Sequence, residues 1–248
     1  MTTIQSLYNV EHDFTLEIVT HPIVSVSLID CPENPLQTLA LLTRGYKGIY
    51  ELDHQEISEQ EILKSIVDMN NTRLQTPLEF IYTVWLLNDV PRSFTHQLVR
   101  TRIGVSFVQE SMRFLGHRST YKVLVSRRIA RDQKIEWISQ NAMNCIVEYE
   151  QMLNAGIPSE DARAILPTDI LTNIYMGISL NTLRRMYEQR MCCQAQQGIW
   201  QDMLRNMKNI LIEKYGTPFD HLLSASFERG EECGYRASFD RPCIWGKK

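Results

Sequence analysis

The 248-residue sequence lacks the marks of several large protein classes. It has no surplus of positive charge: the formal net charge is −3, so binding of nucleic acid through bulk electrostatics is disfavoured and any basic site must be local. No apolar run approaches the roughly 20 residues that a membrane helix needs. None of the six cysteines is spaced as C-x-x-C, none of the six histidines falls in H-E-x-x-H, and the start does not resemble a signal peptide. Structural disulfides and a metal centre are therefore not expected, and the thiols read as the reduced cysteines of a cytoplasmic protein. Cys192 and Cys193 are adjacent in a helical pattern with no histidine close in sequence, which suits buried thiols better than a nucleophile. Repeats, low-complexity segments and linkers are also missing. What is present is 44% hydrophobic residues, enough for a real core, expected to form one domain over residues 1–248.

The patterning predicts an α+β fold: a mixed or antiparallel sheet packed with helices, the long helices lying in the C-terminal half. Phe14 to Ile29 is rich in β-branched residues and reads as one or two strands broken at His21-Pro22. Leu36–Leu42 reads as a short helix. Ile57–Met69 is a clearer one, with a capping box at Ser58 and Glu61 and a stripe of Ile62, Leu63, Ile66 and Met69. Phe80–Leu87 suits a buried strand, and Pro91 opens a helix carrying Phe94, Leu98 and the first arginines. Ile103–Glu110 is expected as loop, Met112–Ser126 as a second strand region, and Ile135 to Leu153 as a helix ended by Gly156 and Pro158. Ser159 caps a restart that Pro167 stops. Ile170–Gly177 is read as helix, and Asn181 as the cap of a long last helix with Leu183, Met186, Tyr187, Met191, Leu204, Met207 and Leu211 on its stripe.

Against this ordinary background stands His96 to Phe114, HQLVRTRIGVSFVQESMRF. If the helix runs through it, Gln97, Arg100 and Thr101 share a face and Arg102 projects elsewhere. Dipole complementation at a helix C-terminus would explain an isolated arginine pair, at about 0.3 to 1 kcal/mol. The following residues argue for more, because Gln109, Ser111 and Arg113 add an amide, a hydroxyl and another guanidinium, the last two on one face if they lie on a strand. Such a set suits a phosphorylated ligand with a hydrogen-bonding ring. Ser111 has no evident base beside it, so it reads as a hydrogen-bonding residue, not a nucleophile. Arg184, Arg185 and Arg190 form a second cluster, with Arg190 beside Met186 and Tyr187 on the apolar stripe. Burying it requires a partner, either a ligand or a salt bridge to Glu160 or Asp161. Arg163 is open to the same two readings.

As a whole the arrangement resembles the flavin-dependent thymidylate synthases. The family's arginine-histidine-arginine triplet, followed by a loop and then serine, a spacer, arginine and an aromatic residue, is matched by Arg100-Thr101-Arg102 and Ser111-Met112-Arg113-Phe114. Thr76-Pro77-Leu78-Glu79, HQLVR, GIPSEDARAILP and SLNTLRRMYEQRMCCQAQ resemble its other segments in order, over roughly Thr76 to Gln196. The resemblance implies a homotetramer with FAD shared between subunits, dUMP as acceptor, methylenetetrahydrofolate as carbon donor and NADPH as reductant. It implies that Gln97, Arg100, Gln109, Glu110, Ser111, Arg113 and Arg163 hold the nucleotide. Arg190 would be catalytic, stabilising negative charge that develops on the uracil carbonyls. Thr76, Arg100, Thr101, Arg102, Asn181, Arg185 and Gln194 would face the flavin.

The departures fall on one side. Thr101 and Phe80 replace histidines, one extra residue separates Arg102 from Ser111, and Asn181, Arg185 and Gln194 stand where the family usually has arginine, asparagine and histidine. These are flavin and folate positions, whereas the nucleotide arginines persist. The first expectation is reductive methylation of dUMP to dTMP. The alternatives are release of a 5-hydroxymethyl nucleotide, which the altered flavin side favours, and a nucleotide-binding homologue without catalysis.

Overall fold

A computed structural model of the chain describes residues 2–3, 14–20, 24–50, 57–71, 75–114, 116–131, 134–191 and 198–231. The chain opens with β1 (Thr2–Thr3), β2 (Thr15–Val19) and β3 (Ser25–Asp30), so the Phe14 to Ile29 region does hold two strands. Proline in the first turn starts α1 (Pro35–Tyr46), which runs beyond the predicted Leu42. In α2 (Glu59–Asn71) the capping box forms as read: the Ser58 N–H donates to Glu61 Oε2 at 3.2 Å and the Glu61 N–H to Ser58 Oγ at 3.4 Å. A 3-10 turn over Thr76–Phe80 leads into β4 (Tyr82–Pro91), and α3 (Arg92–Leu98) follows at once. Then come β5 (Val105–Gln109), β6 (Thr120–Leu124), α4 (Arg127–Arg131), α5 (Ile135–Asn154) and α6 (Ser159–Ala162). After a 3-10 turn over Arg163–Ile165 come β7 (Leu171–Ser179), α7 (Leu180–Arg190), α8 (Ile199–Tyr215) and α9 (Pro218–Leu222).

The α+β expectation, with a mixed sheet and long helices late in the chain, matches this order. Several local readings do not. Ile103–Glu110 contains β5 because Val105, Phe107 and Val108 give it strand propensity that the neighbouring arginines and glycine masked. The Ile170–Gly177 helix is instead β7, whose buried Ile174, Met176 and Ile178 alternate with the outward Asn173, Tyr175 and Gly177 at period two. The helix after Pro91 ends at Leu98, so Arg100 to Arg102 lie beyond it and share no helical face. Ser111 and Arg113 lie in a turn closed by the Phe114 N–H on the Ser111 carbonyl (3.1 Å), not on a strand. The predicted last helix is two, α7 and α8. Its cap is Ser179, whose Oγ accepts from the Thr182 N–H at 3.3 Å, and not Asn181. Pro158, not Ser159, precedes α6 as its cap residue.

The described residues cluster into two compact units. The first takes in the described residues within 1–25, 87–100 and 108–174, and the second those within 26–86, 101–107 and 175–248. In the first unit β1 pairs antiparallel with β2 and β2 parallel with β6, in a register that sets Ile18 opposite Val123. Leu16, Ile18, Tyr121 and Val123 pack there against Ile146 and Tyr149 of α5. The Tyr121 hydroxyl, which burial and the carboxylate push up in pKa, donates to Glu150. In the second unit the helices α1, α2, α7, α8 and α9 bury Leu39, Ile66, Leu183, Met203 and Phe219. Trp85 is fully buried in the same unit, its Nε1–H donating to Thr83 Oγ1 at 2.7 Å. The strands β3, β4, β7 and β5 are hydrogen-bonded in that order.

Candidate active site

Most residues assigned to the nucleotide lie in the first unit, where short connections after α3, β5 and α5 present them. Gln109 ends β5, and its Nε2 donates to Thr95 Oγ1 of α3 at 3.0 Å, which turns the amide toward that helix. Ser111 and Arg113 follow in their turn, where the Arg113 N–H donates to Ser111 Oγ at 3.3 Å. Arg113 and Arg163 are 50 positions apart in the sequence. They meet on one residue: Arg113 Nη2 lies 2.8 Å from Glu160 Oε2, and Arg163 Nε donates to the Glu160 carbonyl at 3.0 Å. Ser159 Oγ donates to the Arg113 carbonyl at 2.7 Å, tying α6 to the turn. Both guanidinium side chains are exposed, so an ion pair of this kind is weak and can be exchanged for a better anion. Gln97 is half-buried in α3. Arg100 follows it, exposed, its N–H on the Gln97 carbonyl and its guanidinium without a partner among the described residues.

Glu110 behaves differently from its neighbours. Its side chain is occupied by Arg118, Thr172 and the Asn173 N–H, and its carbonyl by Arg92. Neither Arg92 nor Arg118 was singled out from sequence. An arginine directly after a proline that starts a helix carries no pattern that separates it from a surface charge.

Apart from Arg100, the described residues assigned to the flavin lie in the second unit. The loop Thr101–Gly104 is bolted to the start of α7: the Ser179 N–H donates to the Gly104 carbonyl at 2.8 Å, and Thr182 Oγ1 donates to the Ile103 carbonyl at 2.9 Å. Glu79 joins the 3-10 turn that begins at Thr76 to the same place, accepting from Ser179 Oγ at 2.7 Å and from Asn181 Nδ2. Asn181 is 4% exposed and its Oδ1 is buried with no donor. Arg102 and Arg185 are exposed and have no hydrogen-bond or ion-pair partner among the described residues. Arg190 ends α7, its guanidinium carbon 4.7 Å from the centre of the Trp200 ring. Gln194 lies outside the described residues. No carboxylate among the described residues pairs with Arg184, Arg185 or Arg190, so the salt-bridge alternative for this cluster is not what the structure shows; Glu188 pairs with Arg229 instead. Burial holds the Arg184 guanidinium below its usual pKa, with Arg229 adding to the effect, and its Nη1 is buried without a partner. Glu79, Ser179 and Thr182, which make these contacts, were not assigned a role from the sequence. The Ser-x-x-Thr spacing before a helical stripe was the signal for the cap.

The sequence profile of the family described as "Thymidylate synthase complementing protein" matches residues 9–215. The chain belongs to this family. Among its relatives, a flavin-dependent thymidylate synthase from Saccharolobus solfataricus is 27% identical over 217 residues, covering 84% of this chain and 82% of the relative. One from Pyrococcus furiosus is 30% identical over 182 residues, covering 70% and 73%. The fold is similar to that of a UMP/dUMP methylase from Streptomyces cacaoi bound with 5-Br dUMP, with a TM-score of 0.69 at 18% identity over 83% of this chain and 95% of that one. Asn181, one of the residues assigned to the flavin, is held by Glu79.

That contact makes a testable claim. Asn181→Asp would set a second carboxylate against Glu79 in a buried place, raising the introduced carboxyl's pKa above its unfolded value of about 3.9. An acid with a raised folded pKa binds more protons folded than unfolded, so the loss of stability is full above the folded pKa and fades as pH falls through it. We expect a loss of about 2 kcal/mol at pH 8 that shrinks by pH 5, followed by thermal melts of both proteins. A penalty independent of pH would contradict the Glu79–Asn181 contact.

Proposed function

We propose that the protein is a flavin- and folate-dependent enzyme that modifies C5 of a pyrimidine nucleotide, methylating dUMP to dTMP with methylenetetrahydrofolate and NADPH. The observation that carries this reading is the pairing of Arg113 and Arg163 across Glu160 beside Ser111, the residues the family uses for the nucleotide, combined with a match over residues 9–215. In this reading a phosphate displaces the exposed ion pair and takes both guanidiniums, with Ser111 Oγ as a further partner. Gln97, Arg100, Gln109 and Glu110 complete the nucleotide set, and the protein works as one domain in a homotetramer.

The donors of the second unit fit FAD: Arg102 and Arg185 have no ion-pair partner among the described residues and suit a diphosphate, and Asn181 Oδ1, buried with no hydrogen-bond partner among them, suits a donor group. Thr76, Arg100, Thr101, Arg102, Asn181, Arg185 and Gln194 would hold it. Bound there, a flavin would supply hydride-transfer chemistry. Arg190, whose guanidinium lies over the Trp200 ring, would stabilise the charge that develops when the pyrimidine ring is activated.

A second reading, release of a 5-hydroxymethyl nucleotide, is favoured by one observation: Asn181, at a position the family gives to arginine, is tied to a carboxylate. Incubation with dUMP, methylenetetrahydrofolate and FAD, with and without NADPH, followed by mass measurement of the nucleotide, separates the two. We expect dTMP formed only with NADPH. A product heavier than dTMP by one oxygen would replace the first reading with the second, and colourless protein that takes up no FAD would remove both.

A further inference from the structure

Glu110 commits every polar group it has. Its N–H donates to the Asn173 carbonyl at 3.1 Å, its carbonyl accepts from Arg92 Nη2 at 2.8 Å, and its Oε2 accepts from Thr172 Oγ1 at 3.2 Å and the Asn173 N–H at 3.4 Å. Its Oε1 lies 3.1 Å from Arg118 Nη2, in an ion pair whose side chains are 21% and 25% exposed. A residue so engaged is held as part of the frame. It sits at the point where β5 stops and the Ser111–Arg113 turn begins, anchored to β7 on one side and to α3 on the other.

The charges around it do not balance. Arg118 and Arg163 both act electrostatically on Arg92, and Glu110 is the carboxylate that does so. Three arginines thus act at the place that Glu110 serves, while the Glu160 carboxylate is taken by Arg113 and its carbonyl by Arg163. Nor are the donors satisfied: Arg92 Nε is buried with no acceptor, and Arg118 Nη2 is close enough to the carboxylate to pair but too poorly aligned for a hydrogen bond. Burial and the neighbouring guanidiniums hold Arg92 below its usual pKa, the expected result of cations crowded into a half-buried place. Crowding of this kind costs stability, and an anion bound nearby offsets it.

We propose that Arg92 and Arg118 are positioning residues for the phosphate: they clamp Glu110 as a strut that sets the Ser111–Arg113 turn, and their surplus charge selects a monophosphate dianion there. The proposal rests on the nucleotide reading above for the place of the phosphate, and it moves Glu110 from the ligand set to the frame. Arg92 and Arg118 touch no ligand and act through Glu110 and through their field.

The experiment is calorimetric titration of the intact protein with dUMP and with deoxyuridine, for wild type, Arg92→Gln, Arg118→Gln and Arg118→Lys, with turnover at saturating dUMP measured alongside. For both glutamine variants we expect dUMP affinity to fall about tenfold, deoxyuridine affinity to stay within about twofold, and kcat at saturation to stay within about threefold. Arg118→Lys should recover part of the loss, since it restores charge without the planar fork, and the gap should narrow with added salt. Equal weakening of nucleotide and nucleoside, or unchanged dUMP affinity in a folded Arg118→Gln protein, would overturn the proposal while leaving the nucleotide reading intact. Wild type that does not prefer dUMP to deoxyuridine would overturn both. Should Arg92→Gln not fold, Arg118→Gln carries the test.

Discussion

Arg190→Ala should abolish most turnover while leaving the protein folded. Its guanidinium lies over Trp200 at the end of α7, so truncation removes a cation–π contact and a charge that complements the helix dipole. Together these are worth about 1 to 2 kcal/mol of stability, which a domain of this size tolerates. The catalytic loss should be larger, on the order of a hundred- to a thousandfold in kcat, as when one fixed donor to developing charge is removed. Because that interaction strengthens in the transition state, dUMP binding should change little. Arg190→Lys should rescue poorly, since an ammonium lacks the planar fork that aims two parallel N–H groups from one place. Near-normal turnover in Arg190→Ala would mean that the charge-stabilising group is another residue. The checks are kcat and dUMP affinity with a thermal melt of each variant.

Gly104→Ala is expected to have the largest effect on stability. Gly104 has φ +67°, in the left-handed region where an L side chain is strained. A Cβ there would lie 2.8 Å from Ser179 Oγ and closer still to Thr182 Oγ1. Neither neighbour can move freely, because Ser179 caps α7 and Thr182 Oγ1 is committed to the Ile103 carbonyl. Strain and overpacking together should cost about 2 to 4 kcal/mol, or a fall of about 5 to 15 °C in Tm. If the loop from Thr101 to Gly104 and the start of α7 hold the flavin, the same variant should retain less FAD than wild type, read from the absorbance of purified protein. A melt within a degree of wild type would show that the loop is not bolted to α7 as described.

Much of the local structure was legible before any coordinates. The Ser58–Glu61 capping box, the α5 stripe and the stop at Gly156 depend on groups within one or two helical turns, and each formed. The β7 strand was misread although its alternation is plain, because Leu, Ile and Met suit either period in a short run. The turn at Ser111 was misread as strand because its serine and arginine alternate like strand residues, while the backbone closes on itself through the Phe114 N–H.

The sequence by itself determined the α+β class, the family and the residue types of the site, because these depend on composition, on periodicity and on motifs read in order. Only the tertiary structure decided what those residues do with one another. Glu160 joins Arg113 to Arg163, Glu79 reaches Asn181 across 102 residues, and Arg92 and Arg118 close on Glu110. A half-buried polar group takes whichever partner the fold brings within about 3 Å, and that partner has no fixed spacing along the chain.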